Sequence, residues 1–203
     1  MMPRMPATST AFSGKASLTD SVLRIVAERG LDGVTIREVA AASGVSIGTV
    51  QHHFHSKDDL LAAAFQEVVR RTRGRLEDIR LGSDVRANLA RVLRELLPLG
   101  AGRAVEARVY LAFSARAATA PRLAEIQQAV LAELHRGLVE AFALAWGESA
   151  SPTRCRTAAH ATIALVDGLA LHAVSSDGWL TSRRQTAALD LVLDALIAAP
   201  GFA

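Results

Sequence analysis

The sequence predicts an all-α fold, and three observations support this. Half of the 203 residues are hydrophobic but only 4% are aromatic, and the apolar share is dominated by alanine, leucine and valine, which together favour helix over sheet. No segment alternates apolar and polar residues between turn signals, as a strand would. Finally, serine or threonine with an acidic or amide residue three positions later recurs before apolar stripes, which is the capping-box pattern of helix starts.

These signals predict nine helices. Their expected spans are about 17–29, 35–42, 46–53, 56–80, 84–98, 103–118, 121–146, 152–177 and 182–199. The expected N-caps of five of them are Ser17, Thr35, Ser46, Ser56 and Ser182. Pro121 and Pro152 fall at first helical positions, where proline is tolerated.

Composition narrows the class of protein. The single cysteine, Cys155, excludes an intramolecular disulfide and a cysteine metal cluster. No apolar run is expected to reach the length of a membrane span, and the first residues lack the apolar core of a signal peptide. We therefore expect a cytoplasmic protein with no membrane partner, no metal and no cofactor. The formal net charge of +3 permits a polyanionic partner without requiring one.

The stretch "TIREVAAASGVSIGTVQHHF" carries the strongest functional signal. Two short helices flank a turn at Gly44, a residue suited to the left-handed conformation that this turn needs. Val39 and Val50 face inward, and the pattern is that of a helix-turn-helix whose second helix can lie in the DNA major groove. Taken alone, the pattern also fits any two short helices of an all-α protein.

A longer segment, "GLDGVTIREVAAASGVSIGTVQHHFHSKDDLLAAAF", resembles the DNA-binding domain of the TetR (tetracycline repressor) family of transcriptional regulators. Residues 1–16 are rich in Ser, Thr, Pro, Ala and Met and show no period, which predicts a disordered or flexible arm. The resemblance implies a three-helix helix-turn-helix DNA-binding domain (17–60) and a helical ligand-binding and dimerisation domain (61–203). Family members are homodimers joined through their last two helices. A ligand enclosed by helices four to seven changes the spacing of the recognition helices and releases operator DNA.

The resemblance also implies a set of contacts with double-stranded operator DNA. These are Thr35, Arg37, Ser46, Ile47, Gly48, Thr49, Gln51, His52, His53 and Lys57. Thr35 and Arg37 would touch the backbone or a groove edge, the helix from Ser46 would face the major groove, and His53 and Lys57 would lie near phosphates. The family usually has tyrosine where this chain has Gln51. Because glutamine can pair with adenine instead of holding a phosphate, base specificity does not carry over from relatives.

The C-terminal stretches "ARVYLAFSARAATAPRLAEI" and "ALVDGLALHAV" are similar to the choline-responsive BetI regulators. The candidates for lining a pocket for a small-molecule effector are Arg108, Tyr110, Phe113, Arg116, Trp146 and His172. Helical spacing places any of them in the core as readily as in a pocket. Because aromatic residues are few, a cage of several rings around a cation is not expected, so choline is not carried over as the ligand.

For two sequence features, and for the function itself, the residues allow more than one interpretation. The arginine run "RRTRGR" (70–75) is predicted to be a solvated face rather than a nucleic-acid patch. Asp167, inside an apolar helix, is predicted to make either a structural hydrogen bond or a pocket or dimer contact. A constitutive DNA-binding protein without an effector remains an alternative. An enzyme is disfavoured, because no GxSxG, HExxH or phosphate-cradling loop occurs, and no catalytic residue is assigned.

Overall fold

A computed structural model of the protein describes residues 14–198. This range contains nine α-helices and no strand, which confirms the predicted fold class. The helices are α1 (Gly14–Arg29), α2 (Ile36–Ser43), α3 (Ile47–His53), α4 (Lys57–Glu77), α5 (Val85–Glu95), α6 (Ala101–Ala117), α7 (Pro121–Trp146), α8 (Pro152–Ser175) and α9 (Ser182–Ala198). Short 3-10 turns at Leu31–Gly33 and Gly147–Ser149 follow α1 and α7.

Three of the predicted helix starts are confirmed by their side-chain caps. The hydroxyls of Thr35, Ser46 and Ser56 each accept a hydrogen bond, at 3.1 Å, from the backbone N–H three residues later. Each bond satisfies one of the amide groups that a helix start leaves without an intrahelical partner. The boundaries of α2, α3 and α4 therefore follow from local sequence.

Two predicted caps are wrong. Ser17 lies inside α1, which already includes Gly14, and the carboxylate of Asp20 pairs with Arg71 of α4 at 2.7 Å instead of returning to the backbone. At α9 the cap is Thr181, whose hydroxyl accepts from the amide of Arg184 at 3.4 Å, and Ser182 is the first helical residue. The predicted arm (1–16) lies outside the described residues except at 14–16, which are helical.

Gly44 makes the turn between α2 and α3 possible. Its φ of 67° and ψ of 30° are left-handed, a conformation that costs glycine nothing extra. The side chain of Arg24 donates a 2.7 Å hydrogen bond to the carbonyl of Ala42, and the hydroxyls of Ser43 and Ser21 lie 2.8 Å apart. These hydrogen bonds hold the C-terminal end of α2 against α1, next to the turn from which α3 begins.

One hydrophobic cluster joins the three short helices to the rest of the chain. It contains buried residues of α1, α2, α3 and α4 and continues into α6 and the first turn of α7. At its centre the rings of Phe65 and Phe113 stack with centroids 3.9 Å apart. The N-terminal helices are therefore packed directly onto the helices that follow, with a continuous core across residue 60.

A second cluster lies at the other end of the molecule. It is built from buried residues of α5, the C-terminal half of α7, α8 and α9. Leu93, Leu97 and Leu189 are among its fully buried side chains. The two clusters share α7 as a common wall.

The expectation that no apolar run reaches membrane-spanning length is wrong for α8. By length and composition it passes that test, with a mean hydropathy of 1.3 over 18 residues. In the fold it packs against α6, α7 and α9. Because core helices of soluble proteins pass the same test, its hydropathy is weak evidence for a membrane span.

We predict that Phe65→Ala destabilises the protein by about 3–5 kcal/mol, because it opens a cavity where Phe65 stacks on Phe113. Urea denaturation followed by circular dichroism measures the change. The matched control is Leu81→Ala, since Leu81 is 64% exposed; its cost should stay below about 0.5 kcal/mol. Equal losses from the two substitutions would contradict a core shared by α4 and α6.

Candidate DNA-binding surface and ligand cavity

The predicted DNA contacts lie at the start of α2, along α3 and at the start of α4, and most of them are exposed. Thr35 and Arg37 are exposed at the first turn of α2. In the described part of the chain, Arg37 makes no ion pair. A guanidinium that no carboxylate neutralises is free to contact an anion.

Helix α3 buries one side and exposes the other. Val50 is fully buried and Phe54, just after the helix, is nearly so. The exposed residues are Ser46, Ile47, Gly48, Gln51 and His52. Ile47 is 45% exposed, which is unusual for an isoleucine in a folded domain and gives this face an apolar contact point.

Two of the predicted contacts are partly engaged within the protein. The hydroxyl of Thr49 lies 2.9 Å from that of Ser46, so these side chains hold each other at the start of α3. The ring of His53 is half-buried and lies between His52 and Phe54, with ring centroids 5.1 Å and 6.4 Å away. Their positions at the surface are therefore set before any DNA arrives.

Lys57 is exposed in the first turn of α4, beside two carboxylates that would repel phosphate. Arginines of α6 and α7 bind both carboxylates. Arg116 makes two hydrogen bonds to Asp58, at 2.9 and 3.0 Å, and Arg122 reaches Asp59 at 2.6 Å. These arginines lower the pKa of each carboxyl, and for Asp59 the Ser56 hydroxyl and the His55 amide contribute further.

A cavity of about 450 Å³ lies between the two hydrophobic clusters. The C-terminal half of α4 forms one wall, and α5, α6, α7 and α8 close the others. Most of the lining side chains are aliphatic, and Tyr110 is the one aromatic residue among the described lining residues. Its size and apolar walls are those of a small-molecule site.

The cavity also carries charged side chains, and most of them are paired. Arg75 reaches Glu95 at 3.0 Å and Glu106 at 2.9 Å, and Arg103 reaches Glu95 at 3.2 Å. Glu133 and Arg73 form another pair between α7 and α4.

Asp167 differs from the other acidic residues of the cavity. It lies on α8 and lines the cavity together with Tyr110, and its carboxyl has no ion pair with an arginine or lysine of the described chain. Burial raises the pKa of Asp167, and the nearby hydroxyl of Tyr110 opposes this. Burial, with a contribution from Asp167, likewise raises the pKa of Tyr110. A positively charged group placed beside Asp167 would favour the ionised form of its carboxyl and so oppose the effect of burial.

Of the six residues predicted to line a pocket, Tyr110 does so and the other five lie elsewhere. Phe113 is fully buried beneath Phe65, and Arg116 is bound to Asp58. Trp146 stacks on Phe142, and its indole N–H donates to the carbonyl of Ile197.

The remaining two predicted pocket residues are at the surface. Arg108 is exposed on α6, on the side turned away from the cavity. His172 is exposed on α8 and meets the edge of Trp179 at 5.7 Å.

Of the polar residues that line the cavity, Tyr110 was predicted from the sequence and Asp167 was predicted as one of two alternatives; the arginines and glutamates were not. The arginine run was predicted to be a solvated face, but Arg73 and Arg75 line the cavity, while Arg70 and Arg71 bind Glu67. The signal that could have found them is the periodicity of α4, in which Thr72, Arg75 and Leu76 continue the inward stripe after Val68. Across residues 14–198, no three or more His, Cys, Asp or Glu side chains form a group suited to a metal.

Two family profiles match the chain in sequence. Residues 12–64 match the bacterial regulatory proteins of the tetR family, and residues 85–198 match the C-terminal domain of BetI-type transcriptional repressors. The chain belongs to the TetR family of transcriptional regulators. The resemblance stated from the sequence is thereby confirmed, and so is its BetI-like C-terminal half.

Similar proteins agree with this assignment. The HTH-type transcriptional regulator BetI of Burkholderia cenocepacia J2315 is 32% identical over 195 residues, covering 94% of this chain and 95% of that protein. A transcriptional regulator from Rhodococcus sp. Rha1 has the same fold, with a TM-score of 0.83, 36% identity and coverage of 93% and 98%. The multidrug binding protein EbrR, complexed with ethidium, gives a TM-score of 0.63 at 28% identity, with coverage of 91% and 98%.

This TetR-family regulator therefore has a helix-turn-helix DNA-binding domain and a C-terminal helical domain of the BetI type. Its relatives are regulators of transcription, and no comparison indicates an enzyme.

Proposed function

We propose that the protein is a homodimeric repressor that binds operator DNA through α3 and leaves it when a small molecule occupies the cavity. The observation that carries this proposal is that α4 belongs to both sites. Its first turn follows the end of α3 after a short link and carries the exposed Lys57, and its C-terminal half forms a wall of the cavity. A DNA-binding regulator of the cytoplasm, where its operator lies, fits these features.

The DNA contacts follow from what each side chain exposes. Gln51 and His52 point outward from α3, and the small Gly48 lets the backbone approach the groove. The N-terminus of α3 favours a phosphate through its dipole, as does the free guanidinium of Arg37. Lys57 supplies a further positive charge, because Arg116 and Arg122 neutralise the neighbouring acids. Base specificity would come from Thr49, Gln51 and His52, and orientation from the phosphate contacts.

The cavity favours an effector over the alternative of a constitutive DNA-binding protein. A protein without an effector gains stability by filling its core, since unfilled apolar space costs packing energy. This chain keeps about 450 Å³ open between its two clusters. A relative of 28% identity, EbrR, has been crystallised with ethidium. A ligand in the cavity of this chain would contact α4, α6 and α7 together.

The last two helices support the homodimer. Leu171 of α8 is 46% exposed and Leu191 of α9 is 70% exposed, and Trp179 lies uncovered between these helices. Leucine and tryptophan side chains left in water on neighbouring helices favour a protein interface. A second copy packed on α8 and α9 would cover them as a four-helix bundle, and it would place two recognition helices on successive major grooves.

We predict that the double substitution Thr49→Ala/Gln51→Ala abolishes specific retardation of the protein's own upstream DNA in a gel-shift assay. Each lost base contact costs about 1–3 kcal/mol, which together lowers affinity by about a hundredfold or more. The control is Gln128→Ala, an exposed glutamine on α7 whose removal should leave binding unchanged. Wild-type affinity in the double variant would exclude α3 as the recognition helix.

We also predict that Leu171→Asp/Leu191→Asp converts a dimer of about twice 21.5 kDa into a monomer, because buried carboxylates without partners oppose association. Light scattering coupled to size-exclusion chromatography measures the mass. Leu81→Asp, which places the same charge at an exposed leucine of the α4–α5 loop, should leave the mass unchanged. A wild-type protein that runs as a monomer at micromolar concentration would contradict the proposed interface.

A further inference from the structure

The charges of the cavity are unevenly compensated. Its arginines are matched with glutamates: Arg73 with Glu133, and Arg75 and Arg103 with Glu95 and Glu106. Among the described lining residues only Asp167 is an acid without a basic partner. An anionic ligand would find no free cation on these walls, whereas a cationic one would find a free carboxylate.

The surroundings of Asp167 define what kind of cation would fit. Val166 and Ala170 lie beside it on α8, and the walls facing it from α4, α5 and α7 are mostly aliphatic. The hydroxyl of Tyr110 lines the same cavity and lies near enough to favour the charged form of the carboxyl. Hydroxyl and carboxylate oxygens both accept hydrogen bonds, so an ammonium group placed between them could donate one N–H to each. A ligand that combines such a group with a large apolar body would fill the rest of the cavity.

The single aromatic ring excludes another way of holding a cation. Recognition of a quaternary ammonium uses several rings arranged as a cage, and Tyr110 is alone among the described lining residues. A quaternary ammonium also has no N–H to donate to Asp167. Choline, in addition, is too small and too polar to cover the aliphatic walls. A charge-assisted N–H hydrogen bond to a half-buried carboxylate is the stronger interaction available here.

We propose that the effector is a hydrophobic protonated amine, held by an N–H hydrogen bond to Asp167 beside Tyr110, with its apolar body against α4, α5 and α7. This assignment rests on the proposed function, since it names the ligand class of the same cavity. Asp167 is the residue that selects the charge, and the aliphatic walls select the apolar body. Occupation of Asp167 would give the buried carboxylate the partner that the free protein lacks.

The test compares four probes by isothermal titration calorimetry on the full chain. They are 4-phenylbutylamine, its N,N,N-trimethyl derivative, 4-phenylbutan-1-ol and choline. The amine should bind at least about tenfold more tightly than the alcohol, because only the amine brings a charge-assisted bond to Asp167. The trimethyl derivative should be weaker than the amine, since it has charge but no N–H, and choline should be the weakest.

Two variants locate the selectivity. Asp167→Asn keeps the shape of the side chain and removes its charge, so the amine should fall to within about threefold of the alcohol while the alcohol binds as before. Glu133→Gln is the matched control, because Glu133 lines the same cavity but is already paired with Arg73. It should keep the preference for the amine.

Three results would overturn the proposal: equal affinities of amine and alcohol in the wild type, an amine preference that survives Asp167→Asn, or no binding of either probe. The wild-type ranking decides the question even if a variant fails to fold. Gel shift of upstream DNA, measured on the same preparation without probes, reports on the proposed function separately. Absence of DNA binding would contradict the proposed function without changing the calorimetric ranking. A failed calorimetric ranking would contradict the ligand class without changing the gel shift.

Discussion

The shared helix α4 is the constraint on which the rest of the structure depends. A helix of 21 residues is a rod of roughly 30 Å, and it moves as one body unless a proline or bulge bends it. Leu60, Ala64 and Phe65 bury its first half among the DNA-binding helices. Thr72, Arg75 and Leu76 place its second half in the cavity wall. A shift at either end therefore has to appear at the other.

The contacts around this helix show where such a shift would be transmitted. At its start, Asp58 and Asp59 are held by Arg116 at the end of α6 and Arg122 at the start of α7. At its end, Arg75 holds Glu106 of α6 across the cavity. Helices α4 and α6 are thus fixed to each other by ion pairs at both ends and by the Phe65–Phe113 stack between them. A ligand that separates α4 from α6 at the cavity would therefore also strain the ion pairs of Asp58 and Asp59 at the start of α4.

The sequence predicted those parts of the molecule that local chemistry determines. Thr35, Ser46 and Ser56 cap their helices because each needs only an amide three residues away. The same pattern misled at Ser17, since Asp20 is taken by Arg71, which is distant in sequence. The cavity could not be predicted from the sequence for a similar reason, since residues distant in sequence form its walls. Periodicity places Arg75 on the inward face of α4, but whether that face meets a filled core or a cavity depends on the residues that α5, α6 and α7 bring to it from distant parts of the sequence.

The connection through α4 is measured most directly as the coupling between the cavity and the DNA-binding surface. The affinity of 4-phenylbutylamine is determined by calorimetry for the free protein and for the protein saturated with an operator duplex selected from genomic DNA. Coupling through α4 predicts weaker amine binding to the DNA complex, by the same factor by which saturating amine weakens operator binding. Equal amine affinities for the free and DNA-bound protein would contradict a connection through α4.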